Sequence, residues 1–165
     1  GRSGAEPFIV KKSGKGGPTL QKNLMWTLKQ LHLSLEQYGK IQLQDMDLSP
    51  TQGILLHYLL THKGQDIYGV DLHTTLGISK SSVSSTLKAL KQKGYLRMKE
   101  NPLDDRKKQI VLTEKAYNAE QLIHTSLLAQ QKRLCQEIPK QRLEWLEEDL
   151  DQMLSNLKKE TEAAI

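Results

Sequence analysis

One cysteine, one phenylalanine and five prolines in 165 residues set the first limits on this chain. A lone thiol cannot staple the chain to itself, which excludes a disulfide scaffold and suits a reducing cytosol. No apolar run approaches the roughly 20 residues of a membrane-spanning helix, and there is no secretory apolar region, so a cytoplasmic chain without membrane contact is expected. Metal-ligand spacing is lacking too. His57 and His62 fall at i, i+5 on one expected helix, and His32, His73 and His124 have no cysteine or carboxylate company. All five are therefore expected at surface or packing positions, with no metal and no cofactor. The serines have no adjacent base and no elbow glycines, so no catalytic residues are expected. The Ser13–Gly17 run resembles a phosphate loop only faintly, because Ile9 and Gly16 stand where a glycine and a hydroxyl are needed.

What is present is an uneven basic charge. The net charge is +5, and Ser79–Lys115 alone holds ten Lys/Arg against four acids, a local +6. Residues 116–165 are acidic, with six Lys/Arg against nine acids. A basic excess confined to one stretch is the footprint of an anionic partner such as nucleic acid. Gly1–Pro18 is Gly/Lys-rich and lacks an initiating Met. It is expected as a flexible segment, left open between a basic arm carrying Lys11, Lys12 and Lys15 and a remnant foreign to the natural chain.

The stretch Ile67–Thr113 organises the rest. Tyr68–Leu76 has the length of a short helix, with Val70 and Leu72 as apolar contacts and Gly77 as its stop. Ser79 is a natural N-cap for the next helix, which carries Val83, Leu87 and Leu90 at i, i+4, i+7 and ends at Gly94. At about 100° per residue, Ser81, Ser85, Lys88 and Gln92 lie opposite that stripe, flanked by Ser82 and Ser84. Small hydroxyls and lysines allow close approach to a polyanion, as in a helix-turn-helix recognition helix. Tyr95–Lys99 and Gln109–Leu112 read as two strands, joined through the turn formers Asn101, Pro102 and Asp104 and a basic tip.

Long helices flank this centre. Thr19–Gln44 carries Leu24, Leu28, Leu31, Leu35 and Tyr38 at alternating spacings of four and three, and Asp45–Leu48 breaks it. Ser49-Pro50 opens another helix with Ile54, Leu55, Tyr58 and Leu59 toward a core, closed by Gly64; Gln65–Ile67 is expected to pair with the hairpin. Thr113 caps a helix reaching about Glu137, with Leu122, Ile123, Leu127 and Leu134 inward. Pro139 interrupts, and a last helix bears Leu143, Leu146, Leu150, Met153 and Leu157. Trp26 and Trp145 are expected as packing anchors, and Cys135 as a buried or idle thiol.

Leu76-Gly77-Ile78-Ser79, the Leu90–Gly94 stretch, and the pattern Asp104-x-Arg106-x5-Leu112-Thr113 together resemble the MarR family of bacterial transcription regulators. The close match covers about the middle third of the chain. The resemblance implies a mainly α fold, α+β at its centre: a winged helix-turn-helix over residues 49–113, flanked by dimerisation helices over 19–44 and 114–160, within a single domain over 19–165. It further implies a homodimer joined through Leu24, Leu28, Leu31, Leu143, Leu146, Leu150 and Met153. Such a dimer presents two recognition helices to a pseudo-palindrome of double-stranded DNA as a ligand-responsive repressor. The expected DNA-binding residues are Ser79, Lys80, Ser81, Ser82, Ser84, Ser85, Lys88 and Gln92 on the helix, and Asp104, Arg106, Lys107 and Lys108 in the wing. Arg106 is the arginine that enters the minor groove in the family, with Asp104 expected on the same side of an extended strand to orient its guanidinium. The chain departs from many relatives at Ser85, where they carry arginine, so specificity leans on Lys88, the wing and DNA shape. A small-molecule effector is expected in a crevice lined by Tyr38, His57 and Tyr58. The competing class is a helical interaction module whose basic hairpin is incidental.

Overall fold

The computed structural model describes residues 23–164. Its elements run α1 (Leu24–Gln42), α2 (Pro50–Thr61), α3 (Leu72–Leu76), α4 (Lys80–Gln92), β1 (Leu96–Glu100), β2 (Lys108–Leu112), α5 (Glu114–Leu134) and α6 (Lys140–Ala164), with short 3-10 turns before α2 and before α3. Residues 1–22, including the expected basic arm with Lys11, Lys12 and Lys15, lie outside the described part.

Local chemistry explains each start and stop. Asn23 caps α1, its side chain accepting from the Trp26 N–H at 2.7 Å. Ser49 and Gln52 form a reciprocal capping box at the head of α2, each contact 3.2 Å, with Pro50 at the first helical position. Gly77 sits at φ +67°, a left-handed turn that releases the chain from α3 into α4. Gly94, at φ +83°, makes the corresponding reversal from α4 into β1. The strands pair antiparallel, Leu96 opposite Leu112 and Met98 opposite Ile110, which turns Leu96 and Ile110 inward and leaves Arg97 and Lys99 exposed. The strand-like piece before α3 joins this sheet, as expected: the Ile110 N–H donates to Ile67 O at 2.8 Å, and Tyr68 bridges to Gln109.

The chain forms two compact units, one ending at Leu127 and the other running from Leu128. The first has a core in which α2 is central, supplying Leu55, Leu56, Leu59 and Leu60. Val83, Leu87 and Leu90 of α4 are buried there at 3, 7 and 0% exposure, as their spacing requires. Leu43, fully buried, lies over Gly53 of α2; a Cβ at that glycine would stand 2.5 Å from its Cδ1. Tyr95 closes the floor, its hydroxyl donating to Met46 O at 2.9 Å. Its phenol pKa is raised by burial and then by the Asp47 carboxylate.

Several inward assignments fail. Ile54 is exposed because it sits about half a turn from the buried α2 face centred on Leu56 and Leu60. Val70 is exposed on the turn before α3, and Leu122 lies one residue off the α5 stripe of Ala116 and Ile123. Leu134, Trp26 and Trp145 are exposed as well, so neither tryptophan anchors a core within this chain. In the second unit, α5 gives way to a turn at Cys135–Pro139 in which Glu137 adopts φ +64°, and Cys135 is half-buried. On α6, Leu143, Leu150 and Met153 are half-buried, while Leu146, Leu154 and Leu157 are exposed. No described helix is long and apolar enough to cross a membrane.

Candidate nucleic-acid interface

α4 divides its side chains cleanly. With Val83, Thr86, Leu87 and Leu90 held in the core, Lys80, Ser81, Ser84, Ser85, Lys88 and Gln92 are left exposed, and Ser82 is half-buried at the margin. Not all these hydroxyls are equally available. Ser79 Oγ accepts the Ser82 N–H at 3.1 Å as the helix cap and lies 3.1 Å from Ser81 Oγ. Ser85 Oγ donates to Ser82 O at 3.1 Å, so its proton is engaged while its lone pairs face out. Lys80 and Lys88 are the long exposed cations of that face.

The helix is fixed from below. Lys93 Nζ donates to Gln52 Oε1 at 2.8 Å and to Asp47 O, tying the end of α4 to the head of α2. At the far end of the hairpin, Thr113 Oγ1 donates to Gly94 O at 2.6 Å, and the Thr113 N–H donates to Tyr95 O. That double tie holds both hairpin ends against the exit of α4, so hairpin and helix are set as one piece. Lys115 adds to it, its ammonium 4.5 Å from the Tyr95 ring centroid and donating to Lys93 O.

The hairpin tip differs from expectation. Asp104 and Arg106 do not share one side of an extended strand: the strand ends at Glu100, and Asn101–Lys107 forms successive turns. The Asp104 N–H donates to Asn101 O, and the Lys107 N–H donates to Asp104 O at 3.0 Å. Asn101 Oδ1 accepts the Leu103 N–H, and Asp104 Oδ1 accepts the Arg106 N–H, both at 3.0 Å. Asp104 thus holds the backbone of Arg106 and not its guanidinium, as Asx residues do in turns. Arg106 and Lys108 are exposed. Lys107 Nζ lies 5.8 Å from the Tyr68 ring centroid, leaning back onto the segment before α3. Arg97 and Lys99 are also exposed on β1, where i, i+2 spacing puts both cations on one face of the strand.

Residues 46–107 match the sequence model of the MarR family. They fold as a winged helix that resembles this family. No curated protein matches the chain. Among solved structures, a complex of S. aureus MepR with DNA is similar at a TM-score of 0.75 and 21% identity, covering 81% of this chain and 97% of that one. The transcription regulator MarR from Oenococcus oeni is similar at TM-score 0.61 and 25% identity, covering 80% and 96%. A putative MarR-family regulator from Listeria monocytogenes, complexed with a 26mer DNA, is similar at TM-score 0.72 and 19% identity, covering 84% and 91%.

The winged helix and its flanking helices do not gather the three expected effector residues. Consecutive residues on a helix point about 100° apart, so His57 and Tyr58 leave α2 in different directions. Tyr58 stacks on His62, ring centroids 4.1 Å apart, and His62 Nδ1 lies 2.8 Å from Tyr58 O. Tyr38 is half-buried on α1. His57 turns instead to His124 of α5, the ring nitrogens 3.2 Å apart, so these two histidines are not isolated as the spacing suggested. They line a cavity of about 250 Å³ with Leu60, Thr61, Glu120 and Gln121. Burial lowers the His57 pKa; His124 lowers it further, and Glu120 opposes the shift.

Proposed function

We propose that this chain is a sequence-specific, double-stranded-DNA-binding transcription regulator that acts as a homodimer on a pseudo-palindromic operator and represses by occupying promoter DNA. One observation carries the reading: an exposed hydroxyl and lysine face on α4, rigidly joined to a basic hairpin, within a MarR-family module. Lysines and backbone amides along such a surface neutralise phosphates and set register, while Ser81, Ser84, Ser85, Lys88 and Gln92 stand where base edges are read. The wing carries Arg106 to a neighbouring minor groove. The solved complexes of S. aureus MepR and the Listeria regulator with DNA support this docking mode.

The dimer rests on surface left uncovered in one chain. Leu24, Leu28 and Leu31 of α1 are exposed at 54, 36 and 41%. Independently, Leu146, Leu154 and Leu157 of α6 are exposed at 46, 55 and 68%. Apolar stripes of this length are costly in water at about 25 cal/mol per Å², and a second copy removes the cost symmetrically. Two recognition helices then fall about 34 Å apart, one turn of duplex. A small effector that shifts DNA affinity completes the proposal, and the His57 side of α2 is its seat.

Fluorescence-anisotropy titration of the purified chain on genomic fragments, at several salt concentrations, tests the core of this. DNA binding predicts log–log loss of affinity with salt, at a slope of about −0.9 per phosphate neutralised. Absence of saturable duplex binding at low salt would leave the helical interaction module as the better reading.

A further inference from the structure

We propose that Leu103, at the apex of the wing, is an apolar reader of the minor groove that packs against deoxyribose and selects against the guanine 2-amino group. Leu103 is 95% exposed, so its side chain touches almost nothing of its own chain. The next most exposed large apolar residues, Met25, Ile41 and Leu157 at 68–69%, lie on α1 and α6, the helices proposed to meet a second copy. Leu103 lies on the hairpin instead, and its backbone is clamped. Its N–H donates to Asn101 Oδ1 at 3.0 Å, and the Asp104 N–H donates to Asn101 O at 3.2 Å. Pro102 restricts the residue between them. A clamped turn that holds leucine out in water gains nothing within the chain, because burial is what an apolar side chain contributes.

The surrounding charge selects the occupant. Arg97 and Lys99 on β1, with Arg106, Lys107 and Lys108 after the apex, are all exposed and flank the hairpin with cations. The apex itself, Asn101–Asp105, has two acids and no cation. Phosphates are therefore drawn to the sides of the hairpin and repelled at its tip, so a favourable contact at the tip has to be non-ionic. The minor groove offers one between its phosphate rims. Its walls are the apolar C–H edges of deoxyribose, and guanine alone adds an amino donor to its floor. Leucine is among the side chains that enter this groove in architectural DNA-binding proteins. A guanine under Leu103 would bury that donor against a methyl group with its hydrogen bond to water lost, which is costly. Leu103 thus favours A·T pairs beside Arg106 by contact and not by charge. The inference rests on the DNA-binding reading and adds to it the residue that chooses base pairs under the wing.

The test uses fluorescein-labelled alternating dI-dC and dG-dC duplexes, which present the same major-groove groups and differ in the 2-amino group of the minor groove. Binding of the full chain is followed by anisotropy at several salt concentrations. Wild type is expected to bind the dI-dC duplex about tenfold more tightly, the lower end of what burying a leucine side chain contributes. Leu103→Ser loses most of that preference, by the same factor at every salt concentration, because an apolar contact releases no counterions. Leu103→Met keeps it. Arg106→Ala, by contrast, lowers the salt slope by about one. Circular dichroism reports that each variant stays folded. Salt-dependent wild-type binding without preference between the two duplexes, or a preference that Leu103→Ser retains, overturns the reader and leaves the DNA-binding reading standing. No binding to either duplex overturns that reading and this one with it.

Discussion

Asp104 offers the sharpest test of how the wing works, because its charge and its hydrogen bond act in opposite directions on DNA affinity. Its carboxylate accepts the Arg106 N–H at 3.0 Å, the contact that shapes the turn carrying the guanidinium. Asp104→Ala deletes the acceptor on a half-buried residue, where one such bond is worth about 1 kcal/mol net. If the competent tip is depopulated by that amount, apparent affinity falls about fivefold. Removing a negative charge from a surface facing phosphates pushes the other way. Asp104→Asn separates the two effects, because the amide oxygen still accepts the Arg106 N–H and the charge is gone. The expected order on a specific duplex is therefore Asn equal to or tighter than wild type, and Ala about fivefold weaker than Asn. Anisotropy titrations at three salt concentrations resolve such a ratio, with Asn and Ala both falling more steeply than wild type as salt rises because each site carries one fewer acid. If Ala and Asn tighten binding equally, Asp104 is an ordinary repulsive charge and the turn needs no clasp. If both weaken it equally, the charge itself matters, and the carboxylate acts on the guanidinium after all.

Tyr95→Phe removes the bond to Met46 O and should destabilise the chain by about 1 kcal/mol in urea unfolding at pH 7.5. Because burial and Asp47 raise the folded-state phenol pKa, the native state holds that proton more tightly, so wild type loses stability as pH rises past about 10. Tyr95→Phe should lack that part of the alkaline loss; equal losses in both would refute the assignment. Leu146→Asp with Leu150→Asp places charge on the apolar face of α6, and sedimentation should show monomers where wild type sediments as a dimer. A wild-type chain that is monomeric at tens of micromolar would refute dimerisation.

The parts legible in the sequence were those that a short-range rule determines. Ser49-Pro50, Ser79 and Gly94 are cap and stop signals whose physics lies within four residues, and the chain obeys them closely. The α4 stripe was equally safe, because one helix against one core leaves a single periodic answer. α2 misled because it is apolar nearly all round. Ile54 looks as inward as Leu55 in sequence, and only the position of α4 and the hairpin decides which face is covered.

The wing and the histidines failed for a deeper reason, which bears on how sites of this kind are found. Asp104-x-Arg106 invites a side-chain pair at strand spacing, but that inference needs an extended backbone. Asn101, Pro102 and Asp104 are themselves the residues that prevent one, since Asx side chains capture nearby N–H groups and curl the chain. The turn signal and the pairing signal were competing claims on one carboxylate, and the nearer donor won. His57 and His124 present the converse case. Nothing within four residues of either predicts the other, and the core that closes α2 over α5 brings them within 3.2 Å. Contacts between distant helices therefore have to be sought at residues that spacing rules assign no role, and in this chain they converge beside Glu120 on the outer side of α2.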